Sequence, residues 1–209
     1  MESPQIYKSI KKFISKEEAD KILSWLNCVH HTGNDYNNHL KKLGEELNGN
    51  SYVFDISNNK LTNYISKFHS ITDVSNEQMP DFIEKIINRI CKFFNFPKEN
   101  LFMQLVDMKK GGKIHPHYDA SINGYVNYKC NISVLSDDYK FYLDKTHIDV
   151  QCHDLYGFEA SLYKHWTEEF ASRRVFLSVG FLLPYSVLNR TENDPRVRLS
   201  QRIEKYFQK

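Results

Sequence analysis

Near residue 100 the hydrophobic period of this 209-residue chain changes, and that change limits the fold more than any other feature. Before it, apolar residues recur at helical spacing. "SKEEADKILSWLN" offers Ser15 as an N-cap with Glu18 three residues on, a capping box, and Ala19, Ile22, Leu23 and Leu26 follow on one face. A second helix is expected to open at Pro80, with Ile83, Ile86, Ile87, Ile90 and Phe94 as its buried stripe. After Asn100 the period drops to two. In "YVNYKCNISVLS" Val126, Tyr128, Cys130, Ile132 and Val134 share one face, and Asn127, Lys129, Asn131 and Ser133 share the other. "NLFMQLVDM", "KFYLD", "HIDVQC", "LYGFEASLY" and "RRVFLSVGFLLP" read as further short strands. Helices first and then about eight strands predict an α+β chain with a mainly β core, a jelly-roll pair of sheets with N-terminal helices packed on one side.

No internal repeat or long linker divides the sequence, and its length suffices for one full core. A single domain over 1–209 is expected. Its parts are a helical N-terminal section (1–98), a jelly-roll core (99–186) and a charged tail or helix (187–209). Within the first part, residues 28–78 are polar and carry short candidate strands such as "SYVFDI".

Composition excludes little. With 41% hydrophobic and 26% charged residues the chain matches soluble globular proteins. Its 28 basic and 26 acidic residues leave a formal charge of +2, which neither supports nor excludes a nucleic-acid partner. Apolar runs such as "VFLSVGFLLP" fall far short of the roughly 20 residues that span a bilayer, so no membrane partner is expected. "MESPQIYKSIKKF" has no apolar signal region, and Cys28, Cys91, Cys130 and Cys152 show no C-x-x-C spacing. Reduced thiols and a cytoplasmic location follow as expectations.

The chemistry concentrates in "GGKIHPHYDAS", where His115, His117 and Asp119 occupy alternate positions. Residues two apart on a strand share a face, so His117 and Asp119 can aim an imidazole nitrogen and a carboxylate at one ion. A third ligand must come from a distant strand end, and His165 in "SLYKHWTEEF" is suited to it. Two histidines and one carboxylate leave three coordination positions open, as non-haem Fe(II) needs for a co-substrate and O2. Arg173 and Arg174 open the next strand, and a guanidinium can grip the carboxylate of a dicarboxylate co-substrate with two parallel hydrogen bonds.

In this order the residues resemble the Fe(II)- and 2-oxoglutarate-dependent dioxygenases, whose pattern is H-x-D, a distal His and then an Arg roughly ten residues on. Here that reads His117-Tyr118-Asp119, His165 and, nine positions later, Arg174. "FISKEEADKILSWL" is similar to the opening helix of the AlkB-like and prolyl-hydroxylase-like branches, and "FMQLVDMKKGGKIHPHYDA" to their strand, glycine turn and H-x-D. The resemblance implies a double-stranded β-helix. It implies Fe(II) held by His117, Asp119 and His165, with no catalytic residue beyond these ligands. It also implies 2-oxoglutarate anchored by Arg174, O2 as second co-substrate, and hydroxylation with release of succinate and CO2. Residues 28–78 fall where relatives build a substrate lid, and Tyr36, Tyr52, Phe54 and Tyr64 could stack on a base.

The branch stays open. AlkB-type nucleic-acid demethylases carry Asn-x-Tyr where this chain has Val106 and Met108, and prolyl-hydroxylase-like members tend to have Ser where it has Phe176. Hydroxylation of an unidentified peptidyl, nucleobase or small-molecule substrate stands first, with nucleic-acid demethylation second. A cupin-like metal protein using His115, His117 and His165 is the third reading. Arg173 replaces Arg174 if strand parity is reversed, and either arginine could instead pair with Glu168 or Glu169 at the surface. Lys129 could reach an oxo-acid, but a solvated lysine is the expectation. His30, His31, His39, His69, His147 and His153 have no partner spacing and are read as surface residues.

Overall fold

The capping box forms in both directions. In a computed structural model describing residues 6–29, 49–55, 60–65, 70–75, 80–98, 101–108, 110–114, 116–120 and 124–207, Glu18 N–H donates to Ser15 Oγ (3.1 Å) and Ser15 N–H to Glu18 Oε2 (2.9 Å). These bonds satisfy two of the donors that a helix start leaves free. They open α1 (Lys16–Val29), which buries Ala19, Ile22, Trp25 and Leu26. Pro80 caps α2 (Asp81–Phe94), whose buried face is the expected isoleucine and phenylalanine stripe with Cys91 added. Asn95 ends that helix in the left-handed region at φ 57°, a conformation its short polar side chain tolerates.

Both helices pack on one face of an eight-stranded antiparallel sheet. The strands are β1 (Tyr7–Ile10), β2 (Gly49–Asp55), β3 (Lys60–Ile65), β4 (Ser70–Ser75), β5 (Leu101–Met108), β6 (Tyr125–Leu135), β9 (Leu155–Glu159) and β11 (Arg174–Pro184). Their order is β1-β9-β6-β11-β5-β2-β3-β4. A smaller sheet, β10-β7-β8, comprises β10 (His165–Thr167), β7 (Tyr139–Leu143) and β8 (Thr146–Val150). Alternate residues of β5, β6 and β11 (Met103, Leu105, Cys130, Ile132, Leu177 and Val179 among them) form one core with the helices. Phe141, Leu143, Ile148, Tyr156 and Phe158 fill the space between the two sheets. This is the jelly-roll architecture expected from the period change. α3 (Pro195–Phe207) closes the described chain; its Arg196 pairs with Asp144, and Arg190 in the segment before it pairs with Glu159 of β9.

The polar stretch between α1 and α2 contributes β2, which contains the "SYVFD" of the expected candidate strand, and β3 and β4, and together they extend the large sheet beyond β5. The polar face of β6 is not a solvent face: Asn127, Asn131 and Ser133 are buried. The smaller sheet covers that side, so the polar alternation marks the lining of the interior rather than the surface of the fold.

Cys91, Cys130 and Cys152 carry free thiols. Among the described residues no helix is long and apolar enough to cross a membrane.

Candidate metal centre

Backbone pairing brings the first and third expected ligands side by side. His117 N–H donates to the His165 carbonyl (3.2 Å) and His165 N–H to that of His117 (2.9 Å), an isolated antiparallel bridge. The imidazole centroids lie 4.2 Å apart. Asp119, two residues on and pinned by its N–H to the Ala160 carbonyl, turns to the same side. Its Oδ1 stands 3.3 Å from His117 Nε2 and 3.8 Å from His165 Nε2. The donor atoms of the three residues all lie within 4.8 Å of one another. Tyr118 points away, toward Asp144 and Arg196.

The surroundings fix the state of His165 and of Asp119. His165 is buried against Phe158 and Phe141, and its Nδ1 lies 3.1 Å from the Tyr163 carbonyl oxygen. A carbonyl only accepts, so Nδ1 carries the proton and the Nε2 lone pair faces Asp119. Burial lowers the His165 pKa to about 3, which keeps the ring neutral, as a ligand must be. Burial alone would raise the Asp119 carboxyl, but the Lys129 ammonium, followed by His117, holds it well below the usual carboxylate range. An ionised carboxylate oxygen and an imidazole lone pair therefore converge without a proton between them. A cation is what this arrangement accepts.

Lys129 is where the reading from sequence fails. Instead of being solvated, its Nζ lies 2.7 Å from Asp119 Oδ2, with the side chain only 17% exposed. His115 lies outside the described residues, as do Tyr36 and the histidines at 30, 31, 39 and 69, and the side chains of Tyr52, Phe54 and Tyr64. His147 is exposed beside Asp149, as expected of a surface histidine.

Strand register separates the two arginines. Arg173 lies just before β11 and forks onto Asp107, Nε to Oδ1 at 2.8 Å and NH2 to Oδ2 at 2.9 Å, so its partner is neither Glu168 nor Glu169. Arg174 turns inward, 1% exposed. Its guanidinium lies over the rings of Tyr139 (3.9 Å), Phe176 (4.4 Å) and Phe170 (4.7 Å). NH2 donates to the Tyr139 and Tyr156 hydroxyls, while Nε and NH1 are buried without a hydrogen-bond partner. No acidic side chain among the described residues pairs with it. A cavity of about 130 Å³ opens beside it between the loops at 136–140 and 168–172, and none of the three converging residues lines that space.

Between the two ends runs a polar row that the sequence alone does not reveal. Across the inner face of the large sheet the register aligns Tyr156, Asn131, Ser178 and Gln104 on neighbouring strands. Asn131 Oδ1 and Ser178 Oγ are buried with no partner. The row one step nearer the three donors aligns Phe158, Lys129, Gly180 and Phe102. Buried polar atoms are rarely left unpaired, so Asn131 Oδ1 and Ser178 Oγ call for water or a polar ligand on this inner face.

No protein-family model matches the sequence, and no curated protein matches it. Solved structures do. A viral collagen prolyl hydroxylase from Paramecium Bursaria Chlorella virus-1, in its 2OG complex, matches over 85% of this chain and 97% of its own, at 15% identity and TM-score 0.53. The fold is that of the prolyl hydroxylases. A Pseudomonas putida prolyl-4-hydroxylase aligns over 86% of this chain and 94% of its own, at 10% identity and TM-score 0.51. A Trichoplax adhaerens prolyl hydroxylase, in complex with a hypoxia inducible factor oxygen degradation domain peptide fragment, aligns over 88% and 86%, at 7% identity and TM-score 0.56. At such identities the likeness to these prolyl hydroxylases is one of fold.

Proposed function

We propose that this chain is an Fe(II)- and 2-oxoglutarate-dependent dioxygenase that hydroxylates its substrate with release of succinate and CO2. The observation that carries the proposal is a pair of complementary ends on one inner face. Three metal-type donors converge at one end, a buried guanidinium with two unpaired nitrogens lies at the other, and the partnerless Asn131 Oδ1 and Ser178 Oγ lie on the same face between them. His117, Asp119 and His165 are the residues that would hold the iron. Iron with 2-oxoglutarate and O2 supplies the oxidising power to place oxygen in a C–H bond. Arg174 presents Nε and NH1 to the far carboxylate of the oxo-acid, and the Tyr139 and Tyr156 hydroxyls steady the guanidinium from the side. The rings of Phe158 and Phe141 exclude water from the His165 side.

A peptidyl substrate stands first, since the solved neighbours are prolyl hydroxylases and one is bound to a peptide. Nucleic-acid demethylation is less well supported. Where AlkB-type enzymes carry a polar pair, Val106 and Met108 join an apolar cluster with Phe170 and Phe176. The cupin-like set needs His115 in place of Asp119, and the convergence of the Asp119 carboxylate with both imidazoles supports the dioxygenase set instead.

The test is succinate formation from 2-oxoglutarate with Fe(II) and O2, screened over pooled proline-containing peptides, other peptides, amino acids, nucleosides and alkylated oligonucleotides. One pool should raise turnover above the substrate-free rate. Failure of the protein to consume 2-oxoglutarate, with or without any pool, would remove the dioxygenase assignment.

A further inference from the structure

Asp119 divides its two oxygens between different partners. Oδ1 faces the imidazole nitrogens of His117 and His165, and Oδ2 meets Lys129 Nζ at 2.7 Å as an ion pair whose angles lie outside those of a hydrogen bond. Lys129 is held for this contact by its strand. β6 places it between Phe158 of β9 and Gly180 of β11, and Gly180 has no side chain to crowd it. The Phe102 ring occupies the space a Cβ at Gly180 would need, with ring atoms 1.9 to 2.4 Å from that position. Asp119 is the one acidic side chain among the described residues that meets the Lys129 ammonium.

We infer that Lys129 is a positioning residue for the metal centre. By holding Oδ2 it restricts Asp119 to one-oxygen binding, so that the carboxylate fills a single coordination position and its second oxygen does not close another. The inference rests on the metal-site reading given above. It adds a residue outside the three donors, one that keeps open the positions a chelating oxo-acid and O2 require.

Two roles for Lys129 predict opposite signs. As a bare positive charge beside a dication it opposes metal binding, and its removal would tighten the site. As the anchor of Asp119 it preorganises the donor set, and its loss should weaken binding by about ten- to a hundredfold, as for other partners that orient ligands. Mn(II) binding, followed by loss of the free-ion electron paramagnetic resonance signal under nitrogen, separates the two without any turnover. Wild type, Lys129→Met and Lys129→Arg are compared, each checked for folding by circular dichroism. The expected result is a weakened Lys129→Met and a Lys129→Arg that binds more tightly than Lys129→Met, because a guanidinium can also hold a carboxylate oxygen. Unchanged or tighter Mn(II) binding by Lys129→Met overturns the positioning role and leaves the site standing. So does a Lys129→Arg as weak as Lys129→Met. If Lys129→Met does not fold, Lys129→Arg decides alone, and an affinity at or below about one tenth of wild type overturns the inference. Absence of Mn(II) binding in wild type overturns the metal site and this inference together.

Discussion

Replacing Arg174 by Met should separate folding from co-substrate binding, because the residue stands apart from all three metal donors. A buried cation without an anionic partner costs several kcal/mol to desolvate. Three aromatic faces at 3.9 to 4.7 Å and two hydroxyls offset part of that cost, at about 0.5–2 kcal/mol for each cation–π contact. Met fills most of the same volume with no charge to desolvate. The unliganded Arg174→Met protein is therefore expected to melt at or above the wild-type temperature. Its response to 2-oxoglutarate should be the part that collapses. A charge-assisted hydrogen bond contributes about 1.5–3 kcal/mol, or about ten- to a hundredfold in affinity. At a concentration a hundred times the wild-type Kd, the Mn(II)-loaded wild type gains about 2.7 kcal/mol, which in a chain of this length is about 5–11 °C of Tm. The variant at the same concentration sits between about one and ten times its own Kd. It gains about 0.4–1.4 kcal/mol, or about 1–6 °C. Differential scanning fluorimetry with and without 2-oxoglutarate measures both quantities. An equal ligand-induced shift in the two proteins would refute the anchoring role. A large loss of Tm in the unliganded variant would show that the guanidinium is there to hold the barrel together.

Arg173→Ala takes the fork away from the buried Asp107 carboxylate, so a stability loss of about 1–3 kcal/mol is expected in urea melts, with 2-oxoglutarate affinity unchanged. A weakened affinity there would mean that the wrong arginine has been assigned. Gly157→Ala places a methyl 2.5 Å from the Phe94 ring and 2.9 Å from the Tyr128 ring, where the core has no room to yield. Overpacking of that kind costs about 1–3 kcal/mol, readable as a lower urea midpoint at unchanged slope.

What the sequence displays and what it hides divide along a physical line. Local signals are legible: Ser15 and Glu18 cap α1, the isoleucine stripe buries α2, and the period-two run of β6 gives a strand with two distinct faces. Properties that depend on a partner far along the chain are not. Alternation separates Lys129, Asn131 and Ser133 from Val134, but it cannot say whether the polar face meets water or a second sheet. Lys129 is accordingly read as solvated when it is an ion-pair partner of Asp119. The choice between Arg173 and Arg174 likewise depends on β11 pairing with β5, which sets Arg174 opposite Met108 and leaves Arg173 to Asp107. β1 and β10, with four and three residues, are too short to show a period, and only pairing with β9 and β7 makes them strands. The H-x-D spacing is readable because two residues on one face need no tertiary knowledge, whereas His165 is legible only as a histidine near a late strand end, and its place beside His117 depends on the bridge between them.

The dioxygenase assignment stands on His117, Asp119 and His165 together holding an iron ion that 2-oxoglutarate can chelate. The visible spectrum of the anaerobic protein, recorded as Fe(II) and then 2-oxoglutarate are added, tests this without any substrate. Wild type should develop a weak charge-transfer band only when both are present, and Asp119→Ala, folded by circular dichroism, should show none. A folded wild type without the band, or an Asp119→Ala protein that retains it, would contradict the assignment.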